Sequence, residues 1–386
     1  MDLKTKLFSV LLGIFAVWLG WKYFTREGIT VLVPTPTPAA SATHAPGQPR
    51  ATRADIAQLL AVPITLSGAT VSTSSGNLAF AAEEKVGFVS LFGDSIASRA
   101  AQQAISQIRA AVGPQVMVAV DHEGGTVQRL SGTGFTKLPA LQELCDSSDA
   151  LARQRLFAKS ATELRQAGVD VIYAPVADLA SNSAVLKSRT CSDNEVITTT
   201  VNQEMISAFI RRGILPVIKH YPGIGAITRD LHREIDALYD TPKELTVIQT
   251  LLQVQPNAGV MTTFVLVTGM AENAPCALDF NCVMKLNSYS QRTLIFTDAL
   301  EMKSALTGTD LVSQKTLVQV SKEAMLAGNH VLVYGKGVTG KELSEVLNML
   351  VSEYDSNQAM REKIDQALLK IQNTKQELAA EIKKVP

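Results

Sequence analysis

The sequence predicts an α/β fold: a (β/α)8 TIM barrel preceded by an N-terminal transmembrane helix and a disordered linker. Three observations lead to this prediction. From Asp55 onward, short apolar segments alternate with helix-like segments; an uncharged apolar run stands near the N-terminus; and a proline-rich segment separates the two. We therefore expect a membrane anchor over residues 1–27, a linker over residues 28–54 and one folded domain over residues 55–386.

The overall composition is that of a protein with a large core. Of the 386 residues, 46% are hydrophobic and 19% are charged, which excludes a disordered chain and a polytopic membrane protein. The 36 basic side chains balance the 36 acidic ones. Because a nucleic-acid-binding protein needs a basic surface, we expect no nucleic-acid partner.

The N-terminal residues have the pattern of a membrane segment. Lys4 and Lys6 precede an almost wholly apolar run over residues 7–21, and aromatic residues surround Lys22. The run is short for a bilayer span, and a cleaved signal peptide is the alternative. Since no small-x-small cleavage pattern follows the run directly, an uncleaved anchor is favoured. It predicts a single-pass protein of the cell membrane whose folded domain lies outside the cytoplasm.

Residues 28–54 differ in kind from the segments on either side. They contain a Pro-Thr-Pro-Thr-Pro repeat and small residues, with Pro46 and Pro49 farther along. This composition cannot bury a core and favours an extended chain. We expect a tether between the anchor and the domain.

The domain contains eight short apolar and β-branched runs, each followed by a helix-like stretch. The runs cover residues 59–64, 87–92, 116–121, 169–175, 214–220, 259–265, 294–298 and 330–334. The predicted helices include residues 96–112, 149–167, 195–212, 311–327, 340–354 and 357–384. This alternation predicts a parallel sheet covered on both faces, and eight units favour a barrel. A doubly wound open sheet is the alternative, which the lack of a glycine-rich dinucleotide motif weakens.

Polar residues end three of these runs. Asp121 ends the third run, Lys219 and His220 end the fifth, and Asp298 ends the seventh. Buried strands do not usually end in charges, because an unpaired buried charge is costly. In a barrel, the carboxyl ends of the strands meet at one face, where active sites lie. The pattern therefore predicts a polar pocket at that face.

Two pairs of residues could carry chemistry beside this pocket. Arg129 follows Asp121 after a Gly-Gly turn, and the two could hold a neutral polyol by hydrogen bonds. Asp230 and His232 stand two residues apart in a glycine-containing loop. A carboxylate beside an imidazole orients the ring and supplies a proton donor and acceptor near neutral pH. A carboxylate placed like Asp298 would be the nucleophile of a sugar-cleaving site.

Six segments follow one another in a recognisable order. They are Asp-x-Glu-Gly-Gly-x-Val-x-Arg at 121–129, Gly-Phe-Thr-x-Leu-Pro at 134–139, Ala-Pro-Val-x-Asp at 174–178, Lys-His-Tyr-Pro-Gly at 219–223, Asp-Leu-His at 230–232 and Thr-Asp-Ala-Leu-Glu-Met at 297–302. Together they resemble glycoside hydrolase family 3, and within it the bacterial β-N-acetylglucosaminidases of single-barrel type. The resemblance covers roughly residues 56–335.

The resemblance implies a family 3 catalytic barrel that hydrolyses terminal β-linked N-acetylglucosamine, with retention, from peptidoglycan fragments or related glycans. It implies that Asp298 is the nucleophile, His232 the general acid/base and Asp230 the carboxylate that orients His232. The residues that would bind the sugar are Asp121, Arg129, Arg189, Lys219 and His220. The expected partner is thus a glycan that contains N-acetylglucosamine, and no cofactor is expected.

The chain departs from the family pattern at the loop before Asp230. Residues 223–227 read Gly-Ile-Gly-Ala-Ile where the family has Gly-His-Gly-Asp-Thr, so the loop has become apolar. Three alternative functions stay open: a β-glucosidase or xylosidase of the same family, a phosphorolytic enzyme, and a catalytically decayed glycan-binding barrel.

The four cysteines all lie in the domain. An even number in an exported chain permits disulfides, and Cys276 and Cys282 are close enough to close a small loop, but the sequence does not fix the pairing. Because there is no Cys-x-x-Cys pair and no nearby histidine cluster, no metal site is predicted.

Overall fold

Eight parallel strands, numbered β1 to β8, form the central sheet of the computed structural model, which describes residues 50–72, 76–179, 185–271, 273–308 and 312–382. They are β1 (Leu60–Ser67), β2 (Phe88–Phe92), β3 (Met117–Val120), β4 (Val171–Ile172), β5 (Leu215–Tyr221), β6 (Gly259–Thr262), β7 (Ile295–Thr297) and β8 (Leu332–Val333). Successive strands are neighbours from β1 to β7, and β8 pairs with β1. This chain order lacks the reversal that defines a doubly wound sheet.

The predicted fold class, a closed barrel with a transmembrane helix, needs two corrections. The first concerns the sheet, which is a curled half-barrel of TIM-barrel-like type. In the described chain, β7 and β8 share only an isolated bridge between Phe296 and Val331, supported by a hydrogen bond from Thr297 N to Val331 O (3.0 Å). The partner of Phe296 is Val331, which precedes the first residue of β8, so the contact between the two segments stays a single bridge.

The second correction concerns the membrane. Within the described ranges, no helix is long and apolar enough to cross a bilayer. We therefore withdraw the expectations of a transmembrane helix, of a membrane partner and of a single-pass protein of the cell membrane. The segment predicted as an anchor, residues 1–27, and linker residues 28–49 lie outside the described residues.

Helices lie between the strands and after the last one. They are α1 (Arg53–Ala57), α2 (Asn77–Glu84), α3 (Ser98–Val112), α4 (Leu141–Asp146), α5 (Ala150–Ala167), α6 (Glu195–Ile210), α7 (Glu244–Val254), α8 (Phe280–Tyr289), α9 (Lys303–Leu306), α10 (Leu317–Ala327), α11 (Gly340–Ser356) and α12 (Gln358–Ile382). Two 3₁₀ turns cover Lys187–Arg189 and Cys276–Leu278.

Helix starts follow from local capping. Asp149 accepts the Ala152 N–H and caps α5, which matches the predicted helix closely. Helix α10 begins at Leu317 rather than at residue 311, because Thr316 and Gln319 form a capping box there. Helix α1 begins at Arg53, two residues before the expected start of the domain.

Additional short strands lie at the carboxyl end of the central sheet. Thr70–Val71 pairs antiparallel with β1. His122–Gly124 and Val127–Gln128 form a small hairpin just after β3, and Ala237–Leu238 pairs with Leu266–Val267. These additions build loops at the sheet edge where the sequence predicts a pocket.

Aromatic side chains fill the inside of the sheet. The Phe296 ring packs edge-on against Phe88 (5.6 Å between centroids) and Tyr173 (6.1 Å). The Tyr173 hydroxyl lies 2.7 Å from the Ser90 hydroxyl, so its polar end is satisfied. Because these side chains fill the interior of the curled sheet, a polar cavity can form only at its ends, and active sites in such folds lie at the carboxyl ends of the strands.

Candidate active site

A cavity of about 690 Å³ opens at the carboxyl ends of the strands. All eight residues proposed from the sequence line it: Asp121, Arg129, Arg189, Lys219, His220, Asp230, His232 and Asp298. They come from β5 and from the loops that follow β3, β4, β5 and β7. The fold therefore gathers side chains that are up to 177 residues apart in sequence (298 − 121) into one pocket.

A buried cluster of opposite charges lies on one side of the cavity. Lys219 Nζ is 2.6 Å from Glu123 Oε1 and 3.0 Å from Asp121 Oδ1. Arg129 approaches the other oxygen of Asp121, with Nη2 3.5 Å from Oδ2. Because every carboxylate has a cation partner, the cluster can be buried without leaving a charge unpaired.

Arg189 completes this cluster from the loop after β4. Its Nε and Nη2 atoms bind the two oxygens of Glu123 at 2.8 and 3.0 Å, a bidentate pair. Cys191, two residues later, forms a disulfide with Cys145 on α4. The disulfide ties the segment that carries Arg189 to the body of the domain.

The charges of this cluster control its protonation. Burial acts to raise the pKa of Asp121, but Lys219 and Arg129 outweigh it and lower that pKa. Burial likewise opposes ionisation of Glu123, whose pKa Lys219 and Arg189 hold below its ordinary value. Burial disfavours charged Lys219, yet Glu123 and Asp121 raise the pKa of its amine. All three groups therefore stay charged near neutral pH, and hydroxyl groups of a sugar would meet fixed donors and acceptors.

His220 is held by a carboxylate behind it. Its Nδ1 lies 2.7 Å from Oδ2 of Asp178, which is fully buried. Asp178 also accepts backbone N–H groups from His220 (3.2 Å) and from Ile224 (2.7 Å). With Nδ1 engaged, the Nε2 atom of His220 is the ring nitrogen left for a ligand.

Asp298 stands directly after β7 and faces the cavity. Thr263 Oγ1 donates to its Oδ2 at 2.8 Å, and the N–H of Ala299 donates to its Oδ1 at 2.8 Å. In the described structure no lysine or arginine forms an ion pair with Asp298. Two hydrogen bonds fix the orientation of the carboxylate while no cation neutralises it, which suits a nucleophile.

Asp230 and His232 form the predicted pair on the loop after β5. His232 Nδ1 lies 2.9 Å from Asp230 Oδ1, and the His232 N–H donates to the same oxygen at 3.0 Å. Burial raises the pKa of Asp230, but these two hydrogen bonds outweigh it and lower the pKa. The His232 side chain is 70% exposed, so its Nε2 atom is accessible at the mouth of the cavity.

A buried glutamate holds the base of this loop. Glu244 Oε1 accepts the N–H groups of Leu179 and Gly225, each at 3.2 Å. A β-carbon at Gly223, whose φ is +130°, would lie 2.8 Å from Cδ of Glu244. Ile224 and Ile227 are buried and line the cavity. Two of the three apolar replacements in this loop, Ile224 and Ile227, therefore contribute to the wall of the pocket.

The sequence predicts no metal site. Across the residues with described positions, no three His, Cys, Asp or Glu side chains are grouped so that they could hold a metal ion.

The motifs and the geometry agree with a known family. The sequence model described as the glycosyl hydrolase family 3 N terminal domain matches residues 51–374. The chain belongs to glycosyl hydrolase family 3.

Several curated family relatives are beta-hexosaminidases. The protein of Bordetella avium (strain 197N) is 37% identical over 158 residues, which are 39% of this chain and 45% of that protein. The protein of Nitrosomonas eutropha (strain DSM 101675 / C91 / Nm57) is 30% identical over 288 residues, which are 70% of this chain and 80% of that protein. The chain spans about half the length of the Bordetella avium relative.

Solved structures share the fold at lower identity. A beta-N-acetylhexosaminidase from Beutenbergia cavernae DSM 12333 superposes with a TM-score of 0.73 at 20% identity, over 84% of this chain and 98% of that one. A glycoside hydrolase family 3 beta-N-acetylglucosaminidase from Paenibacillus sp. str. FPU-7 gives a TM-score of 0.73 at 20% identity, over 85% and 63%. At this identity the likeness shows the fold.

Sequence reasoning missed four residues of this family 3 site. Glu123 lies inside the Asp-x-Glu-Gly-Gly segment, and Asp178 ends the Ala-Pro-Val-x-Asp segment, so both motifs contained the signal. Thr263 donates a hydrogen bond to Asp298, and Glu301 lines the cavity beside it. No pattern in the sequence connects Thr263 to Asp298, because they are neighbours only through the adjacent strands β6 and β7.

Proposed function

We propose that this chain is a retaining β-N-acetylglucosaminidase that hydrolyses terminal β-linked N-acetylglucosamine from peptidoglycan fragments or related glycans. The observation that carries the proposal is the shared cavity of Asp298 and the Asp230–His232 pair. A retaining glycosidase needs a nucleophilic carboxylate and a proton donor that reaches the leaving-group oxygen. In this proposal Asp298 is the nucleophile and His232 the proton donor, and membership in family 3 supports the same chemistry.

The first step is a displacement at the anomeric carbon. Oδ of Asp298 forms a bond to that carbon while the bond from the carbon to the glycosidic oxygen breaks. The leaving oxygen takes the proton from Nε2 of His232, so the products are a glycosyl ester of Asp298, neutral His232 and the free aglycone. Because Thr263 and Ala299 donate to the carboxylate, it is oriented before the sugar arrives.

The second step releases the sugar. Water loses a proton to Nε2 of His232, and its oxygen attacks the anomeric carbon, which breaks the ester and frees Asp298. Asp230 accepts the Nδ1–H of the ring throughout, so Nε2 is the nitrogen that exchanges protons. The exposed position of His232 suits a loop that closes over bound substrate.

The buried charged cluster provides the binding side of the pocket. Asp121, Lys219 and Arg129 are already paired with one another, so they need not find partners in the substrate. Such a cluster holds uncharged hydroxyl groups by hydrogen bonds in a fixed geometry. A neutral sugar therefore fits this side better than a polyanion.

Turnover of aryl glycosides tests the proposal. The wild-type protein should release the aryl group from an N-acetylglucosaminide faster than from a glucoside or a xyloside. Asp298→Asn should lower the rate of this turnover by roughly a thousandfold or more, since it replaces the nucleophile with a neutral amide. Equal turnover by wild type and Asp298→Asn would contradict the nucleophile assignment, and faster turnover of the glucoside would contradict the substrate.

Trapping of the intermediate gives an independent test. A fluorinated N-acetylglucosaminide with a good leaving group should label the protein, and peptide mapping should place the sugar on Asp298. His232→Ala should still be labelled, because an activated leaving group departs without a proton. A label on another residue would overturn the site assignment.

A further inference from the structure

An exposed lysine lines the cavity without a carboxylate partner. Lys336 lies on the loop after β8, and its side chain faces the same cavity as the reacting residues. The other basic side chains of the lining, Arg129, Arg189 and Lys219, each pair with a carboxylate of the buried cluster. Within the part of the chain that the structure describes, no carboxylate lies within ion-pair distance of Lys336. Its positive charge is thus available to a ligand.

The turn that carries Lys336 is fixed at both ends. The N–H of Val338 donates to the carbonyl oxygen of Gly335 at 3.1 Å and closes a turn around Lys336. The N–H of Gly335 donates to Oε2 of Glu301 at 2.9 Å. The buried side-chain amide of Asn77 donates to the carbonyl of Val338 at 2.9 Å and to a carbonyl of β1 at 2.8 Å. The backbone therefore holds Lys336 in place although the side chain is exposed.

Strand β1 supplies polar groups beside this turn. It runs parallel to β8 as its neighbour and continues beyond it toward the cavity. Thr65 and Ser67 alternate along β1, so they share one face, and both are exposed and line the cavity. A β-carbon at Gly337, next to Lys336, would meet no atom of the described chain within 4 Å. Two hydroxyl groups and an amine thus border open space.

This part of the cavity wall lies on the leaving-group side. The buried charged cluster comes from β5 and from the loops after β3 and β4, whereas Lys336 follows β8, which lies beyond β1 and β2 in the sheet. The loop that carries His232 reaches the segment after β7, because the Ser304 N–H donates to the carbonyl oxygen of Leu231 at 3.1 Å. The same segment binds the Lys336 turn through Glu301. Since the proton donor faces the leaving oxygen, the aglycone would extend toward this wall.

We propose that Lys336 determines aglycone specificity, and that with Thr65 and Ser67 it forms a subsite that binds a carboxylate of the leaving group. The inference rests on the proposed function, which places the terminal sugar against the charged cluster. An ammonium group forms charge-assisted hydrogen bonds to a carboxylate, and hydroxyl groups can donate to the same oxygens. The substrate is then neutral at the terminal sugar and negatively charged at the aglycone.

Two substrates that differ only in charge test the proposal. They are the N-acetylglucosaminides of a hydroxyphenylpropionic acid and of its primary amide, whose phenolic leaving groups are matched. We expect the wild-type kcat/KM for the acid to exceed that for the amide by about two- to fivefold, the range for an exposed ion pair. Added salt should bring this ratio toward one. Lys336→Met should bring it close to one without salt, and Lys336→Arg should retain it.

A matched variant controls for net charge. Lys341→Met removes the same charge from an exposed position on α11 outside the cavity lining and should keep the wild-type ratio. Lys336→Gln should behave like Lys336→Met and serves if the methionine variant does not fold. An unchanged ratio in Lys336→Met would overturn the proposal. A fall of the ratio in Lys341→Met equal to that in Lys336→Met would also overturn it, because net charge would then be the cause.

Three disaccharides distinguish two sources of the carboxylate. In each, N-acetylglucosamine is β-linked to a sugar that bears a lactyl ether, as the free acid, as a conjugate with alanine, or as the uncharged alaninamide. A selective loss of turnover of the free acid in Lys336→Met would assign the carboxylate to the aglycone sugar. A selective loss with the alanine conjugate would assign it to an attached peptide. Equal effects on all three substrates would overturn the proposal.

The uncharged aryl amide separates this inference from the proposed function. Failure of the wild-type protein to release N-acetylglucosamine from either aryl substrate would overturn the proposed function and this inference with it. Turnover of both substrates with the same acid-to-amide ratio in wild type and Lys336→Met would leave the proposed function in place and overturn only the role of Lys336.

Discussion

Nζ of Lys219 lies 2.6 Å from Oε1 of Glu123, and the two side chains are 5% and 2% exposed. The pair joins β5 to the hairpin after β3 on one side of the cavity. Arg189 binds the same carboxylate with two nitrogens. Glu123 is thus the centre of the charged cluster, since it is shared by two cations from different parts of the chain.

Neutralising Glu123 should be costly. Glu123→Gln leaves Lys219 with Asp121 as its remaining partner and removes the bidentate contact of Arg189. Breaking a buried ion pair by removing one partner typically costs about 3–5 kcal/mol. Urea unfolding should show that loss, and aryl N-acetylglucosaminide kinetics should show a raised KM. Glu345→Gln, on the exposed surface of α11, is the control and should change neither. An unchanged free energy of unfolding in Glu123→Gln would contradict the central role of this carboxylate.

Thr263 should contribute through its hydrogen bond to Asp298. Thr263→Val keeps the shape of the side chain but removes the donor 2.8 Å from Oδ2. Because a hydrogen bond to a charged group is worth about 1.5–3 kcal/mol, we expect kcat/KM to fall by about ten- to a hundredfold. Thr263→Ser retains the hydroxyl and should recover most of the activity. Equal rates for the valine and serine variants would show that the hydroxyl has no role.

The two disulfides should differ in how much they stabilise the fold. In the chain-entropy estimate, the Cys145–Cys191 bond, which spans 46 residues, contributes roughly 4 kcal/mol, and the Cys276–Cys282 bond, which spans 6, roughly 2 kcal/mol. We therefore expect the Cys145→Ser/Cys191→Ser variant to lose more stability than its Cys276→Ser/Cys282→Ser counterpart. It should also raise KM, because Arg189 lies beside Cys191. Urea unfolding and aryl glycoside kinetics on both variants check this order, and the reverse order would contradict it.

Stability should fall as the pH drops below neutrality, in part because of buried histidines. Burial lowers the pKa of His330 to about 3, with help from Lys370 and Lys363. An unfolded histidine takes up a proton below about pH 6.5. Between these values the unfolded state binds more protons, so His330 lowers the free energy of unfolding by up to about 1.4 kcal/mol for each pH unit of acidification.

A single substitution isolates this contribution. His330→Asn removes the titrating ring but can keep an acceptor for the Ile295 N–H, which now binds Nδ1 at 3.0 Å. Its free energy of unfolding, measured in urea at pH 7, 6, 5 and 4, should depend on pH less steeply than that of wild type. Parallel curves for the two proteins would show that His330 does not remain neutral in the fold.

The sequence allowed the strands and the residues of the cavity to be predicted for a physical reason. Strands β2 and β5 are predominantly apolar. A charge such as Lys219 near the end of a buried strand is costly unless it meets partners in a shared polar pocket. Contacts between distant segments left no such pattern. The Glu123–Arg189 pair joins residues 66 apart, and the pairing of Cys145 with Cys191 became evident only in the fold. The short strand β8 was placed correctly, but the weak pairing with β7 depends on tertiary packing.

Gly335 and Glu301 should be coupled by their packing. A β-carbon at Gly335 would overlap Oε1 of Glu301 and lie 2.9 Å from its Cδ. Gly335→Ala should therefore displace the carboxyl group from its place beside the cavity and lower both kcat/KM and the free energy of unfolding. In the double variant Gly335→Ala/Glu301→Ser, the shorter side chain relieves the overlap, so the loss of stability should be smaller than the sum of the two single losses. Gly337→Ala, where a β-carbon meets no atom within 4 Å, is the matched control. Additive effects in the cycle would show that the two positions do not interact, and the displacement of Glu301 would then not explain the phenotype of Gly335→Ala.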